Sequence, residues 1–178
     1  MTVFSNDVFV DDTLDLPLTL RKPVREDGQH IHALIQACPP LDVNSVYAYM
    51  LLCEHFPSTC IVAQGEDGLP DGFISGYVPP GRADVLFIWQ VAVHERARGR
   101  RLAQHMLDGL LARPGLAGIK WIETTVGPEN AASRKTFAAM AGQFGASIQE
   151  TELFPPHLFG EAAHDDERLL RIGPLLRD

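Results

Sequence analysis

The stretch from Val85 to Leu111, VLFIWQVAVHERARGRRLAQHMLDGLL, constrains this chain most. Val85 to Val93 is a near-continuous apolar run rich in β-branched and aromatic residues, which predicts a strand buried on both faces. His94 to Ala97 is a short polar turn. Arg98-Gly99-Arg100-Arg101 is a basic, glycine-containing loop, and Leu102 to Leu111 has the period of an amphipathic helix. A strand, a basic loop and a helix N-terminus in that order make an anion site. The first backbone N–H groups of a helix have no intrahelical partner, and the helix dipole adds about half a positive charge there. Phosphate is the usual occupant.

The rest of the composition makes that loop an exception. Among 178 residues, 15 are Lys or Arg and 23 are Asp or Glu, a formal charge of −8, so a basic surface for nucleic acid is not expected. A small anionic ligand fits a local basic loop in an acidic chain better. No apolar run approaches the roughly 18 residues of a membrane span, and the N-terminal residues lack the charged-then-apolar pattern of a signal peptide. Cys38, Cys53 and Cys60 are odd in number and show no metal-ligand spacing. They read as reduced, packed thiols of a cytoplasmic protein, with no metal.

Residues 1–16 carry five Asp or Asn and little periodicity, and are expected to form a flexible arm. A strand at Leu18–Arg21 and a helix from Gly28 to Ala37 follow, the helix ended by Pro39-Pro40. Asn44 or Ser45 caps a second helix that runs to His55. Strands at Ser58–Ala63 and Gly72–Val78 form a hairpin. Beyond the central strand and helix come a strand at Trp121–Val126 and a helix from Asn130 to Ala141, with Gly142 as its C-cap. Strands at Phe144–Leu153 and Leu169–Ile172 close the chain, joined by a loop over 154–166 long enough to be functional. Hairpin strands followed by strand–helix units predict the α/β (α+β) class, with a mixed sheet and helices on both faces.

The basic loop, and the later strand–turn–helix around Gly127-Pro128-Glu129-Asn130, together resemble the GNAT acetyltransferase superfamily. That family binds acetyl-CoA through Arg/Gln-x-x-Gly-x-Gly/Ala. The register Arg98-Gly99-Arg100-Arg101-Leu102-Ala103 aligns Arg98 and Ala103 with the motif. Arg101 stands where the family has its inner glycine, which is tolerable where helix geometry already holds. A second register begins at Arg96. Asn130 with Ser133 is similar to the family's second CoA motif, although Asn130 also sits where a helix is capped. The resemblance implies a GNAT-like, mostly antiparallel twisted sheet, a single acetyltransferase domain over 17–178, and a homodimer. It implies acetyl-CoA held by the strand backbone at Val91 and Val93, by Arg98, Gly99, Arg100, Arg101, Leu102 and Ala103, and by Asn130 and Ser133.

Five segments in order, LRKPVREDG, WQVAVHERARGRRLA, TTVGPENAASRKTF, FPPHLFGE and HDDE, resemble the 2,4-diaminobutyrate acetyltransferases of the ectoine pathway over residues 17–174. This implies acetylation of the γ-amine of a small diamino acid by direct attack in a ternary complex. An alkyl ammonium titrates near 10, so a base is needed. Glu123, His164 and Glu167 are the candidates. The N–H of Val91 is the expected oxyanion donor. The position where many GNAT enzymes carry a tyrosine acid is Phe137 here. Asp42, Asn44 and Tyr47, with Trp89 as an apolar wall or a core residue, and Glu123, His164 and Glu167, are the expected acceptor contacts. Another small amine or a peptide amine, or a non-catalytic acyl-CoA sensor, are the alternatives.

Overall fold

In the computed structural model the elements from residue 18 onward follow the order read from the sequence, and the structure describes residues 18–160 and 166–176, with the backbone alone of 2–4 and 8–10. Two short strands, β1 (Thr2–Phe4) and β2 (Val8–Val10), fall in the span expected as an arm, whose other residues lie outside the described ones. Then come β3 (Thr19–Arg21), α1 (Gly28–Gln36), α2 (Val46–His55), β4 (Ile61–Gln64), β5 (Pro70–Tyr77) and β6 (Val85–Val93). The chain continues with α3 (Leu102–Leu111), β7 (Trp121–Val126), α4 (Ala131–Gln143), β8 (Ser147–Phe154) and β9 (Glu167–Gly173). Each registered strand pair among the described residues is antiparallel except β6–β7. This is the mixed, mostly antiparallel sheet expected.

Two units divide these elements, and β6 contributes to each. The first holds Met1–Tyr77 and Gln90–Ala117. Its strands run in the order β1-β2-β3-β4-β5-β6. Strand alternation sends successive side chains to opposite faces of this sheet. Val62 and Phe73 join Ile31, Leu34, Ile35, Tyr49, Leu52 and Cys53 of α1 and α2 in one buried cluster. Their neighbours Ile61 and Gly72 face α3, where a Cβ on Gly72 would lie 2.7 Å from the Met106 methyl. Helices therefore cover both faces of this sheet. The second unit holds Val78–Trp89 and Gly118–Asp178, with strands in the order β6-β7-β9-β8 and α4 packed against β8.

Three expectations are corrected. The central strand is not buried on both faces: Leu86, Ile88, Gln90 and Ala92 are buried, whereas Phe87, Val91 and Val93 are partly exposed and Trp89 is 43% exposed. Gly142 does not end its helix, because α4 continues to Gln143. The terminator is Gly145, at φ +57, with the Ala146 N–H donating to the Ala141 carbonyl at 2.9 Å. That is the left-handed closure a glycine adopts without a Cβ clash. The strand expected at Ser58–Ala63 starts only at Ile61.

The segment LRKPVREDG has a structural task. Asp27, 7% exposed just before α1, accepts from both terminal nitrogens of Arg21 at 2.7 and 2.8 Å and from the Val24 N–H at 2.8 Å. Arg21 Nε donates to Gln64 on β4 at 2.9 Å. Burial alone would raise the Asp27 carboxyl above its ordinary value; the Arg21 and Val24 hydrogen bonds outweigh it and hold the group below. A depressed carboxyl stabilises the fold above its unfolded value, near 4, and loses that contribution as the pH falls through the folded value. Asp27→Asn should therefore lower stability by about 2 kcal/mol at pH 7 and by clearly less near pH 3. Urea denaturation of both proteins across that range measures the difference.

Candidate active site

The exposed edge of β6 and the loop after it form the first part of the site, all in the first unit beyond Trp89. Gln90 N–H donates to Ser75 Oγ at 3.1 Å and His94 N–H to the Asp71 carbonyl at 2.8 Å, both toward β5. Backbone groups alternate along a strand, so the N–H groups of Val91 and Val93 turn the other way. The parallel ladder to β7 registers Val85–Ile88 against Trp121–Thr124 and stops there. The Val91 N–H thus lies past the last registered pair of that ladder. The Val93 carbonyl accepts from Cys38 Sγ at 3.4 Å and from Arg98 Nε at 3.2 Å.

Ala97, fully buried, pins the turn after β6, and Arg98, Gly99, Arg100 and Arg101 stand exposed beyond it. Gly99 has φ +78 and Arg101 has φ 57, ψ 24. The idea that helix geometry already holds at Arg101 is corrected here. Arg101 is the left-handed N-cap of α3, in a conformation that costs a non-glycine residue about 1–2 kcal/mol. Its carbonyl accepts from Gln104 and His105 N–H, while its side chain makes no cap. The N–H groups of Leu102 and Ala103 open the first turn of α3, and the Arg101 side chain does not cap them, an arrangement an anion can use. Arg96 is not part of that surface: its guanidinium is engaged by Asp67 and Asp71, which removes the register beginning there.

A buried polar network ties the loop before α2 to β6. Gln90, 5% exposed, donates from Nε2 to the Asp42 carbonyl at 2.7 Å and accepts from Tyr49 Oη at 3.3 Å. Tyr49 Oη in turn accepts from the Asn44 N–H at 3.2 Å. Ser45, rather than Asn44, caps α2 by accepting from the Ala48 N–H. The side chains of Asp42 and Tyr47 are left exposed, Tyr47 at 68%. Gln90 escaped sequence reasoning although it carries a signal, a carboxamide inside an apolar strand, which must find partners when buried.

In the second unit Glu123 is 2% exposed and is not the exposed carboxylate a free base would be. Arg82 grips it with two bonds of 3.0 and 2.6 Å, and Arg171, across the β7–β9 register, donates to Oε1 at 2.8 Å. Arg171 also lies 4.3 Å over the Trp121 ring. With both oxygens engaged by guanidinium groups, Glu123 is an ion-pair hub rather than an open carboxylate. No sequence spacing links Arg82 and Arg171 to it. Asn130 caps α4 through its Oδ1, which accepts from the Ser133 N–H at 3.1 Å. Phe137 is buried, and Glu167 opens β9 half-buried. His164 lies outside the described residues. Cys38, Cys53 and Cys60 are free and buried; burial pushes the Cys53 thiol up to about 12 and the Cys60 thiol to about 11, so neither is a thiolate nucleophile at neutral pH. Among the described residues, no group of three or more His, Cys, Asp or Glu is placed to hold a metal, and no helix is long and apolar enough to cross a membrane.

A family model described as Acetyltransferase (GNAT) family matches residues 29–142, a span that includes the open edge of β6, the left-handed turn and α3. The chain belongs to the GNAT acetyltransferase family. An L-2,4-diaminobutyric acid acetyltransferase of Bordetella parapertussis is 57% identical over 155 residues, covering 87% of this chain and 83% of that protein. One from Chromohalobacter salexigens is 46% identical over 157 residues, covering 88% and 81%. The solved diaminobutyrate acetyltransferase EctA of Paenibacillus lautus, in complex with its substrate L-2,4-diaminobutyric acid and coenzyme A, is similar at a TM-score of 0.86 and 38% identity, covering 92% of this chain and 98% of that one. Naa20 of Chaetomium thermophilum, 19% identical with a TM-score of 0.68, shares the fold.

The left-handed turn of this GNAT chain is testable by itself. Arg101→Gly relieves the φ 57 clash but adds unfolded-state entropy, so stability should stay within about 1 kcal/mol of the parent. Arg101→Val, β-branched at the same angle, should lose about 1–2 kcal/mol. Chemical denaturation of the pair gives the comparison; equal stabilities would show that residue 101 is not left-handed in solution.

Proposed function

We propose that this chain transfers the acetyl group of acetyl-CoA to the γ-amino group of L-2,4-diaminobutyrate, giving the N4-acetyl product used in ectoine biosynthesis, an osmoprotective route. The observation that carries the reading is the anion-ready turn into α3 beside the open edge of β6, in a chain similar along most of its length to diaminobutyrate acetyltransferases. The exposed guanidinium groups of Arg98, Arg100 and Arg101 and the N–H groups of Leu102 and Ala103 take the pyrophosphate. The backbone at Val91 and Val93 guides the pantetheine arm, and Asn130 and Ser133 complete the cofactor contacts.

The γ-nitrogen, once deprotonated, attacks the thioester carbon. The carbonyl electrons move to oxygen, where the Val91 N–H donates a hydrogen bond to the negative charge, and return as the C–S bond breaks, while the nitrogen sheds its remaining excess proton to solvent. His164 with Glu167 is the preferred proton acceptor, because the arginines around Glu123 reduce that carboxylate to holding the local structure. Phe137 has no proton to give, so coenzyme A leaves as a thiolate; a thiol titrating near 8.5 makes that departure accessible. Asp42, Asn44 and Tyr47 at the start of α2, with Trp89 as a wall, hold the α-amine and carboxylate so that only the γ-amine reaches the thioester. Free, buried cysteines support a cytoplasmic setting. The acting form is a homodimer: β8 is an edge strand exposed along its whole length, with Ile148, Leu153 and Phe154 uncovered, and light scattering should give twice the chain mass.

The deciding experiment incubates the protein with acetyl-CoA and diaminobutyrate, ornithine, a polyamine or a peptide amine, and locates the acetyl group by NMR. Diaminobutyrate should be acetylated at the γ-nitrogen, with ornithine about tenfold or more poorer in kcat/KM, since a misplaced methylene is worth about 1–3 kcal/mol. Mass spectrometry should find no acetylated cysteine. Acetylation at the α-nitrogen, or preference for another amine, rejects the acceptor; binding of acetyl-CoA without transfer to any amine indicates a sensor instead.

A further inference from the structure

We infer that Asp71 and Gly65 act as positioning residues for the pyrophosphate-binding loop, by holding Arg96 as a rigid strut rather than leaving it as a phosphate ligand. The inference rests on the reading that residues 98–103 hold the pyrophosphate of acetyl-CoA. Arg96 lies in the turn that leads from β6 into that loop, two residues before Arg98. Its Nε donates to the Asp71 carboxylate, and NH1 and NH2 donate to Asp67 at 2.6 and 3.1 Å. Asp71 is the anchor of the pair: its side chain is 5% exposed, against 41% for Asp67. The Asp71 main chain adds a second tie, its carbonyl accepting from the His94 N–H at 2.8 Å. One β5 residue therefore fixes both ends of the turn 94–96.

The hairpin between β4 and β5 is shaped to permit this. Asp67 Oδ1 accepts from the Leu69 N–H at 3.0 Å, which sets the tip of the turn. Gly65 leaves room where a Cβ would lie 2.7 Å from Asp71 Oδ2 and 3.3 Å from Arg96 NH2. A cavity of about 360 Å3 lined by Gly65, Asp67, Asp71, Arg96 and Arg100 adjoins the clamp. A released guanidinium has space to swing out there, and the turn would lose the charged fastening to β5 that Asp71 supplies. A loop that must order itself on binding has a weaker cofactor affinity but the same chemistry once saturated.

The test is Asp71→Asn, with Gly65→Ala as a variant that keeps every charge and displaces the carboxylate, and Arg96→Lys, which keeps the charge but cannot bridge both carboxylates. Each is checked by thermal melting, then assayed for KM of acetyl-CoA, KM of diaminobutyrate and kcat, with coenzyme A titrated by calorimetry. All three should raise the acetyl-CoA KM by about tenfold, with kcat and the acceptor KM within about twofold. A general loss of packing would move all three parameters together and overturns the proposal. Unchanged acetyl-CoA KM in folded Asp71→Asn and Gly65→Ala also overturns it. Tighter cofactor binding in Asp71→Asn overturns it in favour of Arg96 as a restrained phosphate ligand. Failure of the parent protein to bind coenzyme A at all rejects the underlying reading instead.

Discussion

One strand, β6, has to be core and active surface at once, and most of the arrangement follows from that constraint. The period of two divides its side chains. Leu86, Ile88 and Ala92 are buried, and Trp89, Val91 and Val93 face outward. The backbone is divided as well, because the ladder to β7 ends at Ile88 and Thr124. A strand interior normally has no N–H to offer a ligand. A strand that loses one neighbour part-way along offers several while remaining held on its other side by β5.

Position 90 is where the two duties meet. A hydrocarbon there would pack, but the Asp42 carbonyl and Tyr49 Oη would lose their partner on β6. Gln90 meets the demand of burial by satisfying both ends of its carboxamide, on the Asp42 carbonyl and on Tyr49 Oη. A buried network of this kind is costly when incomplete and specific when complete. It sets the entry to α2 relative to the strand that carries Val91.

The local elements were legible where periodicity and capping chemistry coincide. Val85–Val93, Leu102–Leu111 and Trp121–Val126 have the bounds expected of them, and Ser45 was one of two caps foreseen for α2. What sequence left dark is decided by distant partners. Glu123 looks like a lone carboxylate until Arg82 and Arg171, 41 and 48 positions away, are folded onto it. Trp89 belongs to an apolar run, yet it is 43% exposed, because what covers a strand's face is decided by elements distant in sequence. Gly142 and Gly145 are equivalent as helix stops by composition; the positive φ of Gly145 and the Ala141–Ala146 hydrogen bond distinguish them. Arg96 and Arg98 are likewise alike in sequence, and two aspartates of the β4–β5 hairpin engage the first while the second stays exposed.

Arg101 shows what such a loop trades. A glycine at φ 57 would carry no strain, and the family motif has a glycine there; this chain instead holds an arginine in a conformation costing about 1–2 kcal/mol. In the proposed cofactor site, a charge-assisted contact from Arg101 to phosphate would be worth about 1.5–3 kcal/mol, enough to offset that cost in the bound state and not before. In a chain of net charge −8, approach of a polyanion meets long-range repulsion, and cations must be concentrated where it lands. The strained turn thus presents a third exposed guanidinium, beside those of Arg98 and Arg100. The fold tolerates it because the residues on either side are fixed, Ala97 by burial and Leu102 by the core face of α3.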